Sequence, residues 1–228
     1  MALDIGEIYR RRLAPVLIRT WPSTGNPAWR LSAAGAILGD KLRVTIKPSR
    51  VLRKLEPAAM QRLKGAFLVE GLGNQPTERV DSIYTYHDMV EIVQHRGDFR
   101  ATHLYRWFKA SIDAGRPVFA RGVVVDNEEK IERYYRMYLD MLVSMEAKGY
   151  DYAGKDEMCF GITAAREFIL IRRGTHRLAT AQILELPSVT GLVTHVDLGF
   201  AEACCRQYRD KSLPAAIACG IQNAAKQL

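Results

Sequence analysis

An α+β fold is predicted for this chain of 228 residues on three observations. Leu42, Val44 and Ile46 alternate with Arg43, Thr45 and Lys47, the period of a half-buried strand. A long amphipathic segment runs from Asn127 to Lys148. After Gly149-Tyr150 the pattern changes to short apolar runs, Met158–Thr163 and Phe168–Ile171, bounded by turn formers.

Taken in order, Ile5–Leu17 reads as a short helix that Pro15 kinks or ends, and Trp21–Pro27 as a loop rich in turn formers. The first strand is stopped by Pro48. Residues 57–64 give one or two helical turns behind Pro57, and Phe67-Leu68-Val69 a second strand before the loop Gly71–Pro76. Tyr86–Gln94 and Arg100–Ala114 are predicted helices, the second with Leu104, Trp107, Phe108 and Ile112 on one face. In the strongest helix, Asp126 is placed to cap with Glu129 three residues on, and Ile131, Tyr134, Tyr138, Met141, Leu142 and Met145 share a side. A turn at Ala164-Ala165-Arg166 joins the next two strands. A helix follows from Leu178 to about Leu184, then a strand at Val189–Val196, and two helices finish the chain, the second opening near Pro214.

Composition narrows the class of protein. Hydrophobic residues at 48% and charged residues at 25% are globular proportions and exclude a wholly disordered chain. No uncharged apolar run approaches the roughly 18 residues of a membrane span. The longest, Ser212–Ala225, contains Gln222 and Asn223. Asp4 and Glu7 precede Arg10-Arg11-Arg12 with no apolar core beside them, so no secretory signal is read. The four cysteines form no C-x-x-C pair, and a reduced, cytoplasmic protein is expected.

The net charge of +8 is uneven. Residues 1–80 hold 14 Lys+Arg against 6 Asp+Glu, whereas residues 81–228 hold 19 of each. The surplus is densest from Lys41 to Lys64. It marks either a solvated face or a partner with negative charge, such as an anionic substrate, a nucleotide or nucleic acid. No aromatic residue interleaves with it, so base stacking is not supported and only weak, non-specific nucleic-acid binding is expected.

The chemistry concentrates at Arg173-Gly174-Thr175-His176-Arg177, where a strand runs through a glycine directly into a helix. Gly174 permits a sharp turn and close approach of a ligand, and Thr175 can cap the helix or donate its hydroxyl. First-turn N–H groups, the helix dipole and Arg177 then converge on one place, an arrangement suited to phosphate. A surface helix start accounts equally for Gly174-Thr175-His176-Arg177. His176 is the best-placed imidazole. Glu70, Asp81, Asp126 and Glu128 are the candidate carboxylates from connecting segments. His87-Asp88 reads as a pair on a helix surface, and His87, His95, His103 and His195 lack metal-ligand spacing.

The wider stretch, helix–Gly149–strand–turn–strand–Gly174-Thr175-His176-Arg177-Leu178-Ala179–helix–Leu186-Pro187–strand, resembles the ParB/sulfiredoxin superfamily. Arg177, Ala181 and Leu184-Glu185-Leu186 fall at the superfamily's places, and Leu42–Val51 is similar to its first strand. The resemblance covers somewhat under half the chain. It implies an N-terminal extension over residues 1–40, a ParB/sulfiredoxin-like domain over 41–199 with a helical insertion at about 65–126, and C-terminal helices over 200–228.

Sulfiredoxins place a catalytic cysteine where Thr175 stands, so their reductase chemistry is not expected here. Partition proteins bind CTP through G-E-R-R and continue into a DNA-binding module, for which the 54 residues after Gly174 leave little room. Free-serine kinases carry D-G-H-H-R; this chain keeps Gly174, His176 and Arg177 but has Arg173 and Thr175 at the other two places. The resemblance therefore implies a nucleotide-dependent phosphotransferase acting on a small-molecule or sugar-like (carbohydrate) hydroxyl, with Mg²⁺ and ATP, ADP or CTP. Gly174, Thr175, His176, Arg177 and Arg173 would bind the nucleotide phosphates, with His176, Glu70 and Glu128 as catalytic groups. The alternative it implies is a CTP- or ATP-binding regulatory or nucleic-acid-binding module without kinase activity.

Overall fold

The computed structural model describes residues 30–120, 123–150 and 157–227, so the helix read at Ile5–Leu17 and the loop at Trp21–Pro27 lie outside the described residues. Over these residues the chain is α+β. Its strands are β1 (Arg43–Ile46), β2 (Arg53–Leu55), β3 (Leu68–Val69), β4 (Thr77–Arg79), β5 (Val118–Ala120), β6 (Val123–Val125), β7 (Met158–Ile162), β8 (Phe168–Arg172) and β9 (Val189–Asp197). The helices are α1 (Leu31–Leu38), α2 (Pro57–Arg62), α3 (Tyr84–Gln94), α4 (His103–Asp113), α5 (Glu128–Lys148), α6 (Thr175–Ile183), α7 (Leu198–Gln207) and α8 (Leu213–Gln227).

Seven strands form one mixed sheet in the order β1-β9-β7-β8-β2-β4, and β3 also pairs with β9. One edge of β9 is taken by β7, running parallel. The other is shared, β1 pairing antiparallel with Val189–Leu192 and β3 pairing parallel with Val196 and Asp197. β7 and β8 are a hairpin, and β2 lies parallel to β8. Strands β5 and β6 pair only with each other among the described residues.

The apolar runs of β7 and β8 reflect burial on both faces of the sheet. Phe168 and Leu170 point into a large core with Phe160, Val193 and the helices α7 and α8. Ile169 and Ile171 point oppositely, into a smaller core with Leu55, Leu72 and Ala59 of α2. Helix α8 is part of the main core, contributing Ala216, Ile217 and Ile221. Its Gly220 faces Cys204 of α7 so closely that a Cβ there would overlap the sulfur, which sets how near the two helices lie. A third core joins α3, α4, β6 and α5 to α6 through Met89, Phe108, Val125, Tyr135, Tyr138 and Ala179.

Charge from the basic N-terminal third is partly matched by carboxylates from the later chain. Arg43 grips buried Glu157 through Nε and Nη2 at 2.9 and 3.3 Å, and Arg53 meets Glu167 at 2.6 Å. Other members of the stretch, including Lys41, Lys47, Arg50 and Lys64, are exposed.

Several expectations need correction. The insertion at 65–126 is not purely helical, because β3 and β4 join the main sheet. Asn127, not Asp126, caps α5: its side chain accepts from Lys130 N at 3.0 Å, while Asp126 pairs with the Lys130 ammonium. Tyr135 rather than Tyr134 is fully buried in the third core, its hydroxyl bonded to that of Thr102. Helix α6 starts at Thr175, three residues before the predicted start, because Leu178 N already donates to Gly174 O at 2.7 Å. Among the described residues, no helix is long and apolar enough to cross a membrane.

Candidate active site

β8 ends at Arg172, and two left-handed residues, Arg173 (φ 57°) and Gly174 (φ 77°), turn the chain into α6. A side chain at Gly174 would be strained by that φ and would overlap Met158 Cγ of β7, so glycine is required twice over. Gly174 is itself the residue flanking the helix start, which leaves Thr175 as the first helical residue and not as the cap. The far end of α6 is tied down by Gln182, whose Nε2 donates to the carbonyls of Pro48 (2.9 Å) and Val51 (3.0 Å). Buried Leu178, Ala179, Thr180 and Ala181 fix its rotation. Thr175, His176 and Arg177 are thereby held at the partly exposed positive end of a helix dipole.

α5 supports this turn from the side. The Tyr138 hydroxyl and His176 Nε2 are 2.8 Å apart, and the two rings lie 4.7 Å apart at 30°. Arg177 Nη1 donates to the Tyr150 hydroxyl at 3.4 Å. Both tyrosines are buried, so imidazole and guanidinium are braced from the core.

His176 also forms part of the wall of a cleft of about 570 Å³. Its other walls come from Tyr84 and Asp88 of α3, His103, Leu104 and Trp107 of α4, Phe119 of β5 and Tyr134 of α5. A volume of this size holds a small organic molecule. The walls mix aromatic faces with one carboxylate and two imidazoles, and Trp107, Phe119 and Tyr84 are exposed. Burial, and then the charge of Glu91, push the Asp88 carboxyl above its ordinary value, while His103 and His87 act in the opposite sense. A carboxylate raised in this way is a better proton acceptor.

The structure brings together Arg173, Gly174, Thr175, His176 and Arg177, and adds Asp88, which sequence reading had put on a helix surface. Tyr84 and Asp88 are spaced by four, as are His103 and Trp107; that spacing marks a common face on each helix and is a signal from which this wall could have been read. The predicted carboxylates stand elsewhere. Glu70 is exposed directly after β3 and is not part of the cleft wall. Glu128, at the first turn of α5, accepts from the Tyr105 hydroxyl at 2.8 Å and pairs with Arg100, contacts that hold its carboxyl below the usual range. Asp81 is engaged by Arg79 at 2.6 Å and Asp126 by Lys130 at 2.8 Å.

Burial pushes the Cys159 thiol up, Cys204 to about 12 and Cys205 to about 11, so these three are neutral thiols at physiological pH and poor nucleophiles. Among the described residues no group of three His, Cys, Asp or Glu side chains could hold a metal ion.

No protein-family model, no curated protein and no solved structure matches this chain.

Proposed function

We propose that the chain is a ParB/sulfiredoxin-like nucleotide-binding protein and a nucleotide-dependent phosphotransferase whose acceptor is a small-molecule or sugar-like hydroxyl. One observation carries the reading: His176 belongs both to the Gly174–Arg177 turn and to the cleft that Asp88 helps to wall. A phosphate on the turn and an acceptor in the cleft would meet at that residue.

In this reading the backbone N–H groups of the α6 first turn and the Arg177 guanidinium receive the nucleotide phosphates. The acceptor lies against Trp107 and Phe119, whose faces suit the apolar side of a sugar ring, with its hydroxyl toward Asp88. Asp88 takes the hydroxyl proton as the new P–O bond forms and the bond to the nucleotide's leaving oxygen breaks. His176, oriented by Tyr138, faces the transferring group and stabilises its developing charge. Mg²⁺ bound with the nucleotide would supply charge neutralisation. The protein's task is then mainly positioning.

The test is calorimetric titration of ATP, ADP and CTP with Mg²⁺ into the parent, Arg177→Ala and Asp88→Asn proteins. At least one nucleotide should bind the parent, Arg177→Ala should weaken it by about 1.5–3 kcal/mol, and Asp88→Asn should bind normally. Transfer to a panel of polyols and sugars, followed by phosphorus NMR, should disappear in Asp88→Asn. Absence of binding by all three nucleotides would discard the proposal. Binding without any transfer would favour a regulatory nucleotide-binding module instead.

A further inference from the structure

A second cavity, of about 250 Å³, opens on the α2 side of the sheet, with Met60, Gln61 and Lys64 on one wall and Ile171, Arg172 and His195 on the other. Ile171 belongs to the smaller core, and Met60 packs against the same cluster, so this cavity is separate from the His176 cleft. Two cationic side chains contribute to it, and none of the described residues around it is acidic. Arg172 Nε is buried and has no hydrogen-bond partner among the described residues. An unsatisfied buried donor is costly, and more so on a charged group.

His195 is a buried member of the lining. Its Nδ1 meets the Thr194 hydroxyl at 2.9 Å and its Nε2 meets the Leu63 carbonyl at 3.3 Å. Nε2 must be the donor to that carbonyl, so Nδ1 is an acceptor facing the Thr194 hydroxyl, whose single proton also has the Phe160 carbonyl within reach at 3.3 Å. Both ring nitrogens are thus committed to the protein. His195 shapes the cavity and leaves recognition to Arg172, Lys64 and the Gln61 amide.

We infer that this cavity is a binding site for a small tetrahedral oxyanion, either free phosphate or the phosphate group of a small monoester. The two positive charges of Arg172 and Lys64 match a dianion. The planar guanidinium suits paired oxygens, and the ammonium acts as a mobile second charge. Its Arg172 is the last residue of β8, two before Gly174, where the strand leads into the His176 turn. The site does not depend on the phosphotransferase reading.

Inorganic phosphate and glycerol phosphate are titrated calorimetrically into the Arg177→Ala protein, which removes the guanidinium of the other phosphate position. Saturable binding of one ion per chain is expected, weakened at least about tenfold by Lys64→Glu and lost in Arg172→Gln. Lys64 is exposed, so its variant folds and decides the matter even where Arg172→Gln does not. Tighter binding of glycerol phosphate would identify a monoester as the ligand, and tighter binding of phosphate a free ion; either supports the site. No saturable binding, or binding that Lys64→Glu leaves unchanged, overturns it.

Discussion

His176 Nε2 and the Tyr138 hydroxyl lie 2.8 Å apart, which couples the first turn of α6 to the middle of α5. The bond fixes the azimuth of the imidazole from a buried residue on a different element. His176 is therefore aimed by the core and not by its own helix alone.

Two variants separate chemistry from packing at this pair. Tyr138→Phe keeps the ring and deletes the hydroxyl, so it should cost about 0.5–1.5 kcal/mol in urea denaturation. Turnover should fall about tenfold through misorientation, with nucleotide affinity unchanged. His176→Ala should fold, bind nucleotide and lose roughly 10²–10³ in kcat, the worth of one group stabilising transition-state charge. Equal kcat in all three proteins would assign the pair to structure.

Gly174→Ala should be strongly destabilising. The left-handed φ costs about 1–2 kcal/mol for an L-residue, and displacing Met158 adds roughly 1–3 kcal/mol of overpacking. Gly174→Ala with Met158→Ala should recover part of the second loss and none of the first. The denaturation midpoints of the two variants measure that split. A fully stable Gly174→Ala protein would show that the turn tolerates another conformation.

How far the sequence disclosed this arrangement depends on the range of each signal. Leu42–Lys47 announces β1 because its alternation is local, and Gly149 and Gly174 announce the ends of α5 and β8 because their φ values demand glycine. β4 is Thr-Glu-Arg, with no apolar residue to show a period, so its entry into the sheet was not legible; Phe67–Val69 read as a strand, but nothing in two paired residues names β9 as its neighbour. The Gly174–Arg177 turn was legible as a strand–glycine–helix junction. Asp88 was not, because its meaning depends on α3 packing against α6, a contact between residues far apart in the chain. The Arg172–Lys64 cavity depends in the same way on α2 lying over β8 and β9.

Asp88 should trade stability for function. Its folded-state value is raised, first by burial, so the folded protein holds the proton more tightly than the unfolded chain does. Stability from this group falls as pH rises from the ordinary aspartate range through the elevated folded value, and stays lower above it. Asp88→Asn should therefore be more stable than the parent near neutral pH while losing transfer activity. The gain should vanish below the ordinary aspartate range, about pH 3–4. Urea midpoints at the two pH values decide it, and a gain that persists in acid would have another cause.

His195 should give the protein a distinct acid sensitivity of opposite sign. Burial, opposed by the bond to Leu63 and helped by the charge of Arg172, lowers its value from 6.5 to about 4. The unfolded chain then takes up a proton that the folded protein refuses. Stability from this group is complete above the ordinary histidine range, declines as pH falls through the window between 6.5 and about 4, and declines no further below it. At 1.36 kcal/mol per pH unit the whole swing is on the order of 3 kcal/mol. His195→Gln can still donate to Leu63 and carries no titrating ring. It should be less stable than the parent at neutral pH, by up to a few kcal/mol for a buried polar replacement. The gap should narrow as pH is lowered through that window. A difference curve that stays flat from neutral to acid pH would show that His195 protonates equally in both states, contrary to its burial between Thr194 and Leu63.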